Sequence, residues 1–325
     1  MLQVTTRRLY VWVVIIFAVN SAILATTRAT LDYSRLPEYA LWCGQFALLF
    51  WAFARLALRY RDNRVLARLA GLFEGLFFLQ LAWLNLRLLN HLTMMLPVPF
   101  KDDLLSSWDQ ALGVNWVGYF EFVHQHPALI RVLDQSYTSL TPLSVFALSG
   151  LILMGQMNRA RYFTEIFFAT AVLCILPGAL MPAVAAVAYH IPEISAYPNF
   201  PHPPGVYHLS YLDALRNAAE PVVLAPDRLP GLVTFPSFHT AAGVLLCVAY
   251  FRTKLFLPVL GYALVMIASP PVFGGHYFVD LLAGTGVALV LSWVLSGRRG
   301  ARLADPRETA DEPIPARAYS KRRPA

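Results

Sequence analysis

Charge is scarce in this chain. Of its 325 residues, 14% are Asp, Glu, Lys or Arg, against roughly 25% in an ordinary soluble domain. Hydrophobic residues make up 57%, and mean hydropathy is +0.52. That balance excludes a water-soluble globular protein and points to one embedded in a bilayer. Cysteine is scarce too. Cys43, Cys174 and Cys247 all fall inside apolar runs, where they read as packing residues and offer neither a disulfide framework nor a metal site. No internal repeat and no glycine-rich nucleotide loop is present. The formal net charge of +7 comes largely from arginine at the ends of apolar runs. This is the pattern of a topology signal and not of a nucleic-acid surface.

What the chain does have is length in its apolar runs. About eight stretches of roughly 17–25 residues are candidate spans. They lie near 9–26, 37–58, 69–90, 131–156, 163–189, 237–251, 255–273 and 277–297, the sixth and seventh being short and joined at Arg252-Thr253-Lys254. The first follows Arg7-Arg8 and exceeds the usual apolar core of a signal peptide, about 7–15 residues, so a retained span is expected. One set of connections carries Arg7, Arg8, Arg59, Arg61, Arg64, Arg68, Arg159, Arg161, Arg252, Lys254, Arg298, Arg299 and Arg302. The alternate, longer connections carry Arg28, Arg35, Lys101, Arg216 and Arg228. The positive-inside rule then places both termini in the cytoplasm. The expected fold is all-α, a polytopic membrane bundle. Residues 1–298 form one integral membrane domain, with its motifs in about 130–297, and the polar residues 299–325 form a disordered cytoplasmic tail.

Two outer connections are long. In about 95–128, Leu104, Leu105, Trp108, Ala111 and Leu112 fall at helical spacing and predict a short amphipathic helix on the interface. The other, about 190–236, is proline-rich and leads straight into a histidine motif, which suits an active-site cover.

Two motifs carry the chemistry. The first is Phe235-Pro236-Ser237-Phe238-His239-Thr240, and the second is Gly274-Gly275-His276-Tyr277-Phe278-Val279-Asp280. Pro236 fits the opening turn of a helix, whose free N–H groups attract phosphate. His276 and Asp280 share a helix face at a spacing of four, so the carboxylate reaches the imidazole. His239 and His276 are 37 residues apart, matching two passes of roughly 18 residues at about 1.5 Å each. Both histidines therefore reach the same, extracytoplasmic, surface. The other six, His91, His124, His126, His190, His202 and His208, also fall on that side, where interfacial placement accounts for them. A neutral imidazole held by Asp280 is a nucleophile for phosphorus. A second histidine, His239, serves the leaving oxygen as acid and the incoming hydroxyl as base. Ser237 and the helix-start N–H groups are placed to hold phosphate oxygens, and Gly275 lets backbone approach closely. The same residues allow other readings: a structural ion pair at a helix end, a zinc site of two His and one Asp, or a transporter's proton relay.

The two motifs resemble the second and third signature motifs of the type-2 phosphatidic acid phosphatase superfamily, most closely its inositol phosphorylceramide synthase-like branch. The resemblance is strongest over about 205–290, with a weaker likeness at Asp134–Pro142 and around Asp103 and Asp109. It implies a six-helix catalytic core and a mechanism needing no metal or other cofactor. His276 would be the nucleophile, Asp280 its orienting partner and His239 the acid/base. It also implies a phosphorylated lipid as substrate, with water or an alcohol such as inositol as acceptor. The superfamily's basic first-motif positions fall here on Asp134 and Thr141, and its usual Ser-Arg is replaced by Ser269-Pro270. The synthase-like branch shares these departures. They leave the phosphate's counter-charge to Arg216, Arg131 or Arg87, with Tyr137, Thr138 and Ser139 as lining candidates.

Overall fold

The computed structural model describes residues 4–217 and 220–297. Three long apolar helices open the chain: α1 (Arg7–Thr26), α2 (Leu36–Arg59) and α3 (Arg64–Met94). Two short helices follow, α4 (Asp102–Ala111) and α5 (Trp116–His124), then α6 (Pro127–Thr138), α7 (Leu140–Leu153) and the long α8 (Met157–Leu180). The long connection after α8 holds α9 (Ala186–His190) and α10 (Leu209–Asn217). The motif region is built of α11 (Phe238–Tyr250), α12 (Phe256–Ala268), α13 (Pro270–Phe273) and α14 (Phe278–Gly297). Two three-residue strands, β1 (Ala29–Leu31) and β2 (Val222–Leu224), pair in parallel with Ala29 opposite Val222.

Six described segments are long and apolar enough to cross a membrane: Arg7–Thr26, Tyr33–Arg59, Arg64–Met94, Met157–Leu180, Phe256–Phe273 and Phe278–Leu295. The continuous fourth span expected over 131–156 is not there. α6 and α7 form it only as a pair bent by 62°. The bend has local causes. Thr138 and Ser139 turn their hydroxyls back onto the carbonyls of Asp134, Gln135 and Ser136, which weakens a helix. Pro142 has no N–H to continue the ladder. The expected sixth span is α11, whose 13 residues make a helix about 20 Å long, short of a hydrocarbon core of about 30 Å. Its beginning is therefore recessed beneath a layer of non-spanning helices. The expected tail, 299–325, lies outside the described residues.

α3, α7, α8, α11, α12 and α14 form the central bundle. Leu148 and Leu151 of α7, Phe163 and Ile166 of α8, and Leu245 of α11 interlock there. In lipid such packing relies on close van der Waals contact and small residues. Gly284 shows why: a Cβ there would sit 2.2 Å from the Ser237 carbonyl oxygen, so only glycine lets α14 meet the start of α11. A second cluster lies over the motif end of the bundle, with Leu105, Trp116, Phe120, Leu133, Val187 and Tyr277 buried together. A third ties α3 to the long connection after α8 through Leu88, Leu92, Leu212, Leu215 and Leu232. Farther down α3, fully buried Glu74 accepts hydrogen bonds from Val4 N (3.2 Å), Thr5 N (2.9 Å) and the Thr5 hydroxyl.

Candidate active site

His276 and Asp280 meet, but not as two residues of one helix. α14 begins at Phe278, so His276 lies in the loop before it. The Asp280 side chain folds back across the helix start, and its Oδ2 accepts from His276 Nδ1 at 3.2 Å and from Tyr277 N at 3.0 Å. A carboxylate oxygen only accepts, so Nδ1 carries the ring proton and Nε2 keeps its lone pair. Both side chains are buried, and Asp280 Oδ1 has no hydrogen-bond partner among the described residues. The His276 carbonyl accepts from Trp116 Nε1 at 2.9 Å, and its N–H donates to Pro270 O at 3.1 Å. The residue is thus held at three points, one on its ring and two on its backbone. Gly275, at φ +65°, has no room for a side chain: a Cβ would meet Ala185 Cβ at 2.6 Å and Gly205 O at 2.7 Å.

His239 opens α11, and its ring centroid lies 6.5 Å from that of His276. Tyr137 stacks on it at 4.1 Å and 16°, and the Tyr137 backbone carbonyl faces the imidazole. Ser237, rather than Pro236, starts the helix. It is the N-cap, its Oγ accepting from Thr240 N at 3.4 Å and from the Thr240 hydroxyl at 3.2 Å. Pro236 lies outside the first turn, after a cis peptide bond. Ser237 N is tied to the Asp280 carbonyl at 2.9 Å, which fixes the two motifs to each other. Phe238 and His239 N–H have no partner among the described residues, as expected for the first turn of a helix.

The acidic residues of α4 have a role that patterning alone did not reveal. α4 is the predicted amphipathic helix, with Leu104, Trp108 and Leu112 exposed. Its polar face turns inward. Asp109 accepts from Phe278 N (2.9 Å) and Val279 N (2.8 Å), capping α14 from another helix. Asp102 accepts from Val184 N (2.9 Å), Ala185 N (3.2 Å) and the Tyr277 hydroxyl (2.9 Å). Burial pushes the Asp109 carboxyl up, while the two N–H groups pull it back. Burial and the Asp102 carboxylate hold the Tyr277 phenol well above its usual value.

Three residues of the connection between α9 and α10 lie close to the motifs or to residues packed on them. Gly205, at φ +67°, approaches Gly275 so closely that a Cβ would sit 2.9 Å from Gly275 N. The Tyr207 hydroxyl bonds the Tyr137 hydroxyl at 2.7 Å. His208 donates Nε2–H to the Val184 carbonyl at 3.1 Å, and its buried Nδ1 has no partner among the described residues. Burial, reinforced by the His276 charge, pushes the His208 imidazole below its ordinary value, against the pull of the Val184 carbonyl. Interfacial placement therefore does not describe His208, 2% exposed, or His91, 0% exposed on α3.

The structure brings His239, His276, Asp280, Ser237, Gly275 and Tyr137 together. Arg216 is placed differently. Its Nη1 donates to Val98 O at 2.8 Å and its guanidinium lies 4.3 Å over the Phe100 ring, while its buried Nε has no partner among the described residues. Arg131 is exposed on α6. Arg87 stacks on Trp83 at 4.2 Å, and its charge acts on Tyr207. Tyr207, His208, Asp102 and Asp109 were missed as site residues. The only signal for the two acids was the weak likeness around Asp103 and Asp109. Tyr207 and His208 had none, because only the fold returns that loop to the histidines.

Two motif histidines thus lie near the start of α11, beneath a loop and within an apolar bundle. Residues 103–294 match the family model described as the PAP2 superfamily. The match spans more than half of the chain, which belongs to that superfamily and is a membrane phosphatase of the lipid-phosphate kind. Neither the curated proteins nor the solved structures compared with the chain gave a match.

Proposed function

We propose that the protein cleaves a lipid phosphate ester through a phosphohistidine on His276 and passes the phospho-group to water or to an alcohol such as inositol. The observation that carries this reading is the Nδ1–Oδ2 contact of 3.2 Å, which leaves Nε2 as the free nucleophile. Nε2 attacks phosphorus, and the bond to the lipid oxygen breaks. Protonated His239 gives its proton to that oxygen. In the second half, the incoming hydroxyl gives its proton to His239 and attacks phosphorus. The P–N bond breaks, and its electron pair returns to Nε2. Asp280 stabilises the imidazolium character that develops in the first half. The free N–H groups of Phe238 and His239, with the Ser237 hydroxyl, hold phosphate oxygens. Tyr137 and Gly275 shape the pocket, and Arg216 is the cation assigned to the outer headgroup region. No step calls for a metal ion.

The departures at Asp134, Thr141 and Ser269-Pro270 favour the inositol phosphorylceramide synthase-like branch, and the motifs themselves suit water and an alcohol alike as acceptor. The arginine distribution favours an extracytoplasmic site with both termini in the cytoplasm. The test uses purified protein and phosphorus-labelled lipid. Turnover is quenched in alkali, where a phosphoramidate survives, and the labelled residue is mapped by mass spectrometry. Label on His276, undiminished by prior chelation of metals, is the expected result. Label on His239, or turnover that vanishes with EDTA and returns with zinc, overturns it.

A further inference from the structure

At roughly 100° per residue, the side chains of α4 sort onto three faces. Asp102, Leu105, Ser106 and Asp109 are buried. Asp103, Ser107 and Gln110 are exposed and polar. Leu104, Trp108 and Ala111, with Leu112 as the C-cap, are exposed and apolar. The exposed side is therefore split, with its polar residues on one flank of the buried face and its apolar residues on the other. A helix lying at the boundary of two media requires that split, with water on one flank and hydrocarbon on the other. Trp108 is of the residue type that favours such a boundary.

The apolar flank leads to the first histidine motif. Around the helix, Trp108 lies between Leu104 and buried Leu105, and its ring meets the Phe235 ring at 6.1 Å and 60°. Phe235 opens the motif, three residues before Phe238 and its open N–H. The neighbouring Asp109 accepts from Phe278 N and Val279 N at 2.9 and 2.8 Å, which pins α4 to the start of α14. The flank is thus fixed relative to both motifs. A lipid whose phosphate lies at the start of α11 must still pass its chain into the bilayer. Phe235 and the apolar flank of α4 offer that chain one continuous surface, and they carry no charge that would suit a headgroup instead.

We propose that Phe235, Leu104, Trp108 and Leu112 seat the hydrocarbon chain of the phosphorylated lipid, with Trp108 the contact that selects a long-chain ester over a short one. This rests on the reading that the phosphate is held at the start of α11. The test has two arms. In the first, the full chain in phosphatidylcholine nanodiscs is irradiated with an uncleavable phosphonate analogue of phosphatidic acid carrying a diazirine in mid-chain. Labelled residues are mapped by mass spectrometry. Label on Leu104, Trp108 or Leu112 that excess non-photoreactive phosphonate suppresses severalfold, and added phosphatidylcholine does not, is expected. No label on α4, or label that both lipids suppress alike, which marks annular lipid only, overturns the proposal. In the second arm, Trp108→Ser should raise KM for a long-chain lipid phosphate about tenfold, the effect of losing one large apolar contact, with kcat little changed. KM for an aryl phosphate should stay the same, and Trp108→Phe should keep the wild-type KM for the lipid. Equal losses on the two esters overturn the selecting role. If Trp108→Ser fails to fold, the labelling arm decides. A wild-type protein that turns over neither ester overturns the catalytic reading, while competed label on α4 still upholds the chain seat.

Discussion

The helices α11 and α14 both begin beside the two motif histidines, yet their first turns are finished in opposite ways. At the start of α14 every N–H is used. Tyr277 N goes to Asp280, Phe278 N and Val279 N go to Asp109, and Asp280 N goes to the Tyr277 carbonyl. At the start of α11 only neutral groups cap the helix, and Phe238 and His239 N–H stay open. A helix start carries roughly half a positive charge. Two carboxylates oppose it at α14, beside the imidazole that gains positive character in the proposed mechanism. No carboxylate among the described residues caps α11, where the proposed mechanism seats an anion. The same secondary structure thus suits the proposed nucleophile at one helix start and the proposed anion site at the other, and part of the difference lies in what another helix, α4, contributes.

Removing the nucleophile breaks the comparison most severely. His276→Ala should lower turnover by at least about 10⁴-fold and abolish the covalent intermediate. His239→Ala should cost about 10²–10⁴-fold with a natural lipid and much less with an activated aryl phosphate, whose leaving oxygen needs little protonation. Equal losses on both substrates would remove the acid role from α11. Asp280→Asn should lower turnover by roughly 10³–10⁴-fold with the protein folded, because an amide disturbs the ring tautomer.

Asp109→Ala tests the α14 side without touching a histidine. It strips two N–H groups of their partners, a loss of roughly 1–3 kcal/mol for each buried group left unsatisfied. Lower thermal stability in detergent, together with a weaker covalent intermediate, is expected. An unchanged melting temperature would show that α14 needs no cap from α4. The α11 side is sharpened by Tyr207→Phe, which deletes the bond to Tyr137 and loosens the ring stacked on His239. The bond is worth about 0.5–1.5 kcal/mol, so a several-fold loss with alkyl esters and almost none with an aryl phosphate is the signature. A uniform loss on both would reduce Tyr207 to a packing residue.

The smallest effect concerns pH. His208 has its imidazole depressed by burial, and so does half-buried His190. The unfolded chain then binds more protons than the folded one, so stability is lost as pH falls below about 6.5. Asp109, raised by burial, acts with the opposite sign nearer pH 4. A melting temperature that declines from pH 7 to 5.5, and declines less in His208→Gln, is the expected record. A flat profile would place both rings in ordinary surroundings.

Much of this was legible in order along the chain. The spans at α1, α2, α3, α8, α12 and α14 are runs of local composition, and hydropathy finds them for that reason. His239, His276 and Asp280 sit in compact motifs whose internal spacing already constrains their geometry. The bend at Ser139 was missed because a window of average hydropathy passes over back-bonding hydroxyls and one proline. Pro236 was placed in the opening turn of α11, whereas the helix starts two residues later with Ser237 as its N-cap. Arg216 was a candidate from its place among the outer-side arginines, and its contacts with Val98 and Phe100 could be read only from the fold.

The sequence by itself determined a membrane-embedded helical protein of this superfamily, because hydrophobic length and short motifs are local properties. Only the tertiary structure decided what surrounds the histidines. Asp109 is 169 residues from Phe278 N, and Tyr207 is 70 residues from Tyr137. Contacts across such separations depend on the return of α4 and the long outer loop over the recessed start of α11. No spacing or periodicity encodes that return, which follows from packing Trp116, Phe120 and Leu105 into one layer above the bundle.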